Sequence, residues 1–406
     1  MPKPKLTVVP DQQALPLGPV AVEFFAGIGL ARMGLEQAGF QIGWANDIER
    51  AKAEMYQAQF GQPEDLNTAT DPDKSSHYFL GDVSLAKGHH MPEELSLAWA
   101  SSPCQDVSLA GARLGMKGQR SSMFYQFTRV IGELDETARP AVLTLENVVG
   151  LATSHGGEDL AAAISAMNEL GYSVDVLTLD ARWFVPQSRP RLFLVGARNA
   201  PVSEQGANPK LRPDWLRAPF SDASLITHEA RLPEVPDTAV GGLSTIVEAD
   251  VEEWWDAARV AKFEASLSPV QAKRLDVLRR KKGNPSHRTA YRRTRAGVPM
   301  WEIRADDIAG CLRTAGGGSS KQALVEAGNG KLRVRWMTSL EYARLMGAGR
   351  YNLQEVKRAS QALFGFGDAV CVPAVAWLAK NYLMPLVQGT MQKKATTKDG
   401  LEVTSA

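Results

Sequence analysis

Cysteine is scarce in this 406-residue chain, and the three present, Cys104, Cys311 and Cys371, are far apart and odd in number. That excludes a disulfide framework and suits a reducing, cytoplasmic setting. Charge of one sign is lacking as well. Lys and Arg number 46 against 45 Asp and Glu, a net +1, so any surface for a polyanion must come from local clustering. No apolar run approaches the ~20 residues of a membrane span, and Met1–Pro19 carries prolines and scattered charge without the apolar core of a secretion signal. The expectation is a soluble protein with no membrane partner. Six histidines are scattered, and His89–His90 has no cysteine or acid at ligand spacing, so no metal site is expected. Apolar residues, in contrast, make up 44% of the chain. At ~150 residues per domain, that supports one large or two unequal domains.

The first half alternates short apolar runs with helical patterns. Strands are expected at Val20–Phe25, Phe40–Ala45, Tyr78–Leu80, Leu95–Ala100, Ala141–Leu145, Tyr172–Leu179 and Leu192–Val195. Helices are expected at Leu30–Ala38, Ile48–Phe60, Ser122–Leu134 and Leu160–Leu170. Such alternation predicts an α/β fold with a mostly parallel sheet, its functional residues just beyond the carboxyl ends of the strands. The rhythm stops near Ala197. Residues 200–305 are proline-rich, and Arg279–Arg295 holds eight Lys or Arg residues (Arg279, Arg280, Lys281, Lys282, Arg288, Arg292, Arg293 and Arg295) with no acid. Gly283, Pro285 and Gly297 are expected to break that run into loops, which favours a phosphate-contacting surface over a solvated helix face. Apolar periodicity returns at Thr338–Met346 and Ala369–Leu383, and Gly389–Ala406 is polar and expected to be a flexible tail.

After the first strand comes Phe25-Ala26-Gly27-Ile28-Gly29-Leu30. Glycines at a strand-to-helix turn let backbone approach a ligand closely. The next glycine is Gly34, so the strict dinucleotide fingerprint is absent and a nicotinamide enzyme is disfavoured. Asp47 ends the second strand 20 residues after Gly27, the place from which a carboxylate accepts ribose hydroxyls. Asp82 ends the third and is suited to an adenine amino group. Either could instead simply cap a strand-end turn.

The strand Leu95–Ala100 runs into Ser101-Ser102-Pro103-Cys104-Gln105-Asp106. A lone cysteine is usually a small buried hydrophobe. This one is followed by Gly111, Gly115 and Gly118 mixed with Arg113, Lys117 and Arg120, the composition of a basic loop that closes over a phosphate backbone. Nearby positive charge also favours the thiolate, which is the nucleophile. The next strand ends in Glu146-Asn147-Val148. A partly buried glutamate there can hold a proton against a ring nitrogen, or it can merely cap a turn. Arginines in Pro186-Gln187-Ser188-Arg189-Pro190-Arg191 are placed to bond a carbonyl oxygen or phosphates.

The ordered set Phe24-Phe25-Ala26-Gly27-Ile28-Gly29, Ser102-Pro103-Cys104-Gln105, Glu146-Asn147-Val148, Gln187-Ser188-Arg189-Pro190-Arg191, Gly316-Gly317-Gly318 and Gly367-Asp368-Ala369-Val370 resembles the motif series of DNA (cytosine-5)-methyltransferases, from about residue 20 to 380. The resemblance implies a Rossmann-like methyltransferase domain using S-adenosyl-L-methionine, with a smaller, mostly irregular target-recognition domain. It implies that Cys104 adds to carbon 6 of a flipped cytosine, Glu146 contacts N3 and the amino group, and Arg191 assists at the carbonyl oxygen. Phe25, Gly27, Gly29, Asp47, Ile48, Asp82, Val83, Pro103, Met123, Asp368 and Ala369 would hold the cofactor. Gln105, Arg113, Lys117, Arg120, Arg189, the Arg279–Arg295 arginines, Arg313 and Lys321 would meet double-stranded DNA. Cys311 and Cys371 match no motif and are expected to be packing residues.

Four departures fall at Leu30 and Asp368, where glycine and asparagine are frequent, at Ile48, where an aromatic is common, and at Ser101-Ser102 before Pro103. The implied domains are 1–200 and 331–388 for catalysis, 201–330 for target recognition and 389–406 as the tail. A monomer is expected, with or without a cognate restriction or phage-defence protein. An RNA (cytosine-5)-methyltransferase on the same fold, a catalytically silent DNA-binding protein and a nicotinamide oxidoreductase are the competing readings.

Overall fold

The computed structural model describes residues 18–391 except 62–64, 76, 103–122, 238–240, 296 and 314–320. Pro103, Cys104, Gln105, Arg113, Lys117 and Arg120 therefore lie outside the described residues.

The apolar runs form a seven-stranded sheet: β1 (Val20–Phe24), β2 (Gln41–Asp47), β3 (Tyr78–Leu80), β4 (Leu95–Ser101), β5 (Val142–Val148), β6 (Ser173–Asp180) and β7 (Pro190–Ala197). Their spatial order is β3-β2-β1-β4-β5-β7-β6. β3, β2, β1, β4 and β5 are parallel, whereas β7 runs antiparallel to both β5 and β6. Strand order reverses between β1 and β4, so the chain leaves both strands on the same edge and opens a crevice there. Val22, Phe24, Ala98 and Leu143 alternate with Ala21, Leu97, Trp99 and Val142, filling two separate cores, one on each face. The helices α1 (Leu30–Gln37), α2 (Arg50–Phe60), α3 (Met123–Gly132) and α4 (Glu158–Glu169) fall where the 3.6-residue periodicity put them.

Residues 198–256 hold little regular structure beyond α5 (Ala218–Ser221). They were expected to begin the target-recognition domain, but many of them pack on the large sheet. Leu211, Ala230, Leu232, Val235, Leu243 and Ile246 enter its core, and Arg212 forms a fully buried double hydrogen bond with Asp175 of β6. The reason is local: β6 is an edge strand, and this segment covers it, with Val174 bridging to Thr227.

A second, four-stranded antiparallel sheet corrects the expectation of a mostly irregular unit. Its order is β11-β10-β8-β9, from β8 (Ser286–Arg295), β9 (Val298–Ile303), β10 (Ala323–Gly328) and β11 (Lys331–Trp336). Helices α6 (Ala257–Ala265) and α7 (Pro269–Arg280) supply Phe263 and Leu275 to its own core, with Trp301, Val325 and Val334. The basic run is therefore the end of α7 and a ten-residue strand, not a set of loops, because Ala290 and the cross-strand pairing fix it. A boundary at 330 would cut the β10–β11 hairpin, whose Gly328 pairs with Lys331; the chain leaves this sheet after Trp336.

The return is α8 (Ser339–Leu345), α9 (Ala359–Asp368), α10 (Val372–Leu378) and α11 (Met384–Gln388). Contrary to the sequence expectation, Ala359–Val387 is long and apolar enough by composition to cross a membrane, but 67% of its most apolar window is buried within the protein. A Cβ on Gly34 of α1 would meet Val375 of α10 at 2.6 Å, so close helix packing accounts for its apolar character.

Candidate functional site

A cavity of about 1110 Å³ opens at the crevice between β1 and β4 and is walled on its far side by the second sheet. Phe25, Gly27, Asp47, Ile48, Asp82, Val83, Met123, Asp368 and Ala369 all border it, as do Glu146 and Arg191. At one end, Asp47 is 7% exposed and its carboxylate accepts the backbone N–H of Gly27 at 2.8 Å and of Glu49 at 2.8 Å. Burial pushes its carboxyl above the usual range, against the pull of the Lys52 ammonium. A Cβ on Gly27, whose φ is +58°, would meet nothing nearer than Lys52 Cδ at 4.0 Å. Left-handed backbone, rather than crowding, requires glycine there, and the turn presents bare backbone to the cavity. Phe25 shares the same left-handed region, with φ 58°, which strains a non-glycine residue beside the cavity. Asp82 does what the simpler reading of a strand-end aspartate predicts, its Oδ1 accepting the Ser84 N–H at 2.8 Å, and it also borders the cavity. Ile48 is 66% exposed, leaving a bare apolar rim where a flat ring is common in the family it resembles.

Gly29 is a correction. It does not border the cavity; a Cβ there would strike Phe60 at 2.3 Å and Tyr56 at 2.8 Å, so it serves the packing of α1 on α2.

At the other end, Ser101 of β4 pairs in register with Glu146 of β5, and Arg191 of β7 pairs with Val148. Glu146 is buried, and Arg191 Nε lies 3.0 Å from its Oε1. Burial raises the Glu146 carboxyl above its ordinary value, with the guanidinium of Arg191 opposing. Burial that favours the protonated carboxyl lets it share a proton with a hydrogen-bonding partner, the property a general acid needs. Asn147 donates to the Ser102 carbonyl at 3.3 Å, anchoring the backbone two residues before Cys104.

Arg189, expected on DNA, is 1% exposed. Its guanidinium donates to the carbonyls of Leu312 (2.8 Å), Gly367 (3.0 Å) and Ala369 (2.6 Å), and burial lowers its pKa to about 10. It ties the start of the glycine-rich segment to the returning Gly367–Ala369 segment and is spent on those carbonyls. Gln187 has a similar task, donating to the Leu345 carbonyl and accepting the Leu312 N–H.

The second sheet brings Tyr291, Arg292, Arg293, Thr294 and, from beside it, Arg304 and Arg313 onto the opposite wall. The remaining basic residues do not join them. Arg279 pairs with Glu264, and Arg280 is exposed at the end of α7. Arg288 is half-buried and bonds the His287 carbonyl, Arg295 pairs with Glu302 at 2.6 Å, and Lys321 lies 4.9 Å from the Trp336 ring centroid. Cys371 is a packing residue, its thiol pushed by burial to about 12. Cys311 is not simply packed: it is half-buried on the cavity wall, 3.3 Å from Arg189 Nη1.

Sequence reasoning missed Glu23, Lys52 and Arg304. An acid inside the apolar run Val20-Ala21-Val22-Glu23-Phe24 was the available signal for Glu23. Lys52 Nζ joins Asp368 Oδ2 at 2.9 Å across 316 residues, which gives the Asp368 departure a charged partner. His89 and His90 do meet an acid in space, Asp73, at 3.4 and 2.9 Å. His90 Nδ1 accepts the Lys87 N–H at 3.0 Å, so its proton sits on Nε2 and faces Asp73. That tautomer offers no lone pair to a metal.

Residues 20–383 match the model of the family described as C-5 cytosine-specific DNA methylase. Among curated relatives, the Type II methyltransferase M.HhaI of Haemophilus parahaemolyticus is 27% identical over 179 residues, 44% of this chain and 49% of the relative. The orphan methyltransferase M.SPRI of Bacillus phage SPR is 30% identical over 180 residues, 44% of this chain and 37% of the relative. The matched stretch thus spans half or less of these relatives' length. Among solved structures, the Dnmt2 methyltransferase of S. pombe superposes with a TM-score of 0.57 at 16% identity, covering 91% of this chain and 98% of that one. That likeness concerns the fold alone. With the family model covering nearly all of the sheet, the crevice and the returning helices, the chain belongs to the C-5 cytosine-specific DNA methylase family.

Proposed function

We propose that this protein transfers a methyl group from S-adenosyl-L-methionine to carbon 5 of cytosine in a specific double-stranded DNA sequence. The observation that carries the reading is one cavity with two chemically distinct ends. Gly27 and Asp47 lie at one; Glu146 and Arg191, in register with the strand that leads to Cys104, lie at the other. The residues fit the cofactor. Asp47 retains acceptor capacity for ribose hydroxyls, the Gly27 turn leaves room for close approach, and Glu23 offers an unpartnered buried oxygen. When bound, the cofactor supplies an electrophilic methyl group. The Cys104 thiolate adds to carbon 6 of cytosine while Glu146 holds a proton at N3 and Arg191 steadies the carbonyl oxygen. Addition makes carbon 5 nucleophilic; after methylation, proton loss from carbon 5 and β-elimination return the thiolate. The base must leave the duplex to reach the site, at a cost of a few kcal/mol. The arginines of the second sheet face the same cavity and supply phosphate contacts.

The catalytic domain comprises 1–200 and 331–388 in this reading, with target recognition in 201–330 and 389–406 as the tail. The structure argues for narrowing the recognition unit to the second sheet and its two helices. A Type II relative supports work beside a restriction or defence protein, an orphan relative a solitary role. In either case we assign a cytoplasmic monomer bound to DNA. Methyl transfer from labelled cofactor to duplex DNA and to transfer RNA tests the function. Duplex labelling with the motif recovered by bisulfite sequencing is expected, and label on RNA alone would overturn the DNA assignment.

A further inference from the structure

The second sheet holds a pocket that the methyl-transfer chemistry does not use, about 370 Å³ in volume. Trp255, just before α6, Trp301 of β9 and Trp336 of β11 form its floor, with ring centroids 5.2 to 5.7 Å apart. Trp301 is 8% exposed and serves the core of this unit, whereas Trp255 and Trp336 are only half-buried. The Trp255 N–H donates to the Val334 carbonyl at 2.8 Å, which fixes its ring against the sheet. Three cations stand around the rings: Arg259 and Lys262, one turn apart on α6, and Arg292 of β8, which pairs in register with Trp301. All three are exposed, and none forms an ion pair with an acid among the described residues. Arg259 is held instead by the rings, its Cζ 4.2 Å from the Trp255 centroid and 5.4 Å from that of Trp336. Lys321 also lies over Trp336, at 4.9 Å. Burial, and then the Arg259 charge, hold its ammonium below the ordinary lysine range.

Resting on the DNA methyltransferase reading above, we propose that this pocket receives a second unstacked base of the bound DNA, separate from the cytosine in the reaction cavity. The rings alone would suit any flat ligand. The cations select an anionic one, because a cationic ligand would meet three positive charges and a neutral one would leave them uncompensated. A nucleotide carries both parts: a base whose π-face stacks on indole or guanidinium, and phosphates for the arginines and the lysine. Bases in an intact duplex are covered by their neighbours, so only one that has left the stack can meet these rings. Position names the source. Arg292 borders both this pocket and the reaction cavity, so a strand engaged at one lies beside the other. Extruding the target base disturbs the stacking around it, and an aromatic platform lowers the cost of holding a displaced neighbour.

Photocross-linking tests this directly. Duplex DNA carrying the methylated sequence, with 5-iodo-2′-deoxyuridine at each position in turn, is irradiated with the full chain, and the linked residue is read by mass spectrometry. The halogenated base couples to an aromatic ring stacked on it. A cross-link to Trp255 or Trp336 is expected from a position other than the target cytosine. Arg259→Ala, at an exposed side chain without an acid partner, should keep S-adenosyl-L-methionine binding and lose most of that cross-link. It should also weaken duplex binding by about tenfold and lower the slope of log affinity against log salt by about one. A lowered slope with no cross-link to either indole would assign the cations to the phosphates of a stacked duplex and overturn the proposal. A cross-link of undiminished yield in Arg259→Ala marks a chance contact and overturns it too. Cross-linking by free 5-iodo-2′-deoxyuridine monophosphate but not by the duplex would overturn it in favour of a free nucleotide. A chain that methylates the duplex without forming the cross-link loses this inference alone. One that neither binds nor methylates duplex DNA loses the methyltransferase reading, and this inference with it.

Discussion

The two walls of the cavity are built on opposite electrostatic plans. Along the edge of the large sheet, Glu23, Asp47 and Glu146 are buried, and each is positioned by a backbone N–H or by one guanidinium. On the second sheet, Arg292 and Arg293 are exposed, and Arg293 and Arg295 share a single acid, Glu302. The first wall depends on desolvation and fixed geometry, so its work should respond to pH and little to salt. The second depends on the number of unscreened charges, so its work should respond to salt and little to pH. A polyanion spanning both would be oriented by one wall and attracted by the other.

The largest expected break in that contrast is Glu146→Gln, which keeps the shape but removes the shared proton. Turnover should fall by about 10²–10⁴-fold with cofactor affinity retained, and single-turnover methylation of duplex DNA measures it. Arg189→Ala comes next. It strands buried carbonyls of Leu312, Gly367 and Ala369, at about 1–3 kcal/mol each. Denaturant unfolding should show a loss of several kcal/mol, while the salt dependence of DNA binding in the surviving folded protein stays unchanged. If Arg189 contacted DNA, that slope would fall instead.

The third prediction concerns stability against pH. Glu23 in the unfolded chain ionises near 4.5 and in the folded protein near 8. Between those values the folded state holds one more proton, so Glu23 makes stability fall as pH rises, by up to about 1.4 kcal/mol per unit. Chemical denaturation from pH 5 to 8 should show the Glu23→Gln variant gaining relative to the native protein across that window. The smallest effect is that of Arg313→Ala, which should weaken DNA binding by a modest factor. It should also reduce the slope of log affinity against log salt by about one, with no change in the pH profile.

Much of the large sheet was legible because its strands are apolar runs ended by glycine or acid, and such runs have one stable use between two helical layers. β3 was read with its observed bounds, and β1 and β2 to within a residue or two. The reversal of β7 was not legible, since a buried strand has the same composition in either direction. Nor was the second sheet: β8 is arginine-rich, so its local sequence speaks for loops, while pairing with β9 on one side and with β10, some thirty-five residues further on, on the other makes it a strand. Arg189 and Arg191, two residues apart, looked alike in sequence. The fold sends one into the core beneath Gly367 and the other to Glu146. Glu23 was hidden for a related reason, because an apolar run with one acid still reads as a strand.

The central claim is that a thiol following Ser102-Pro103 attacks a base held by Glu146. Trapping with duplex DNA carrying 5-fluorocytosine in the recognised sequence, followed by mass spectrometry of the cross-linked peptide, addresses it most directly. The account predicts a covalent adduct on Cys104 in the native protein and none in Cys104→Ser. An adduct mapped to Cys311, a thiol on the cavity wall, or one that persists after Cys104→Ser, would contradict it.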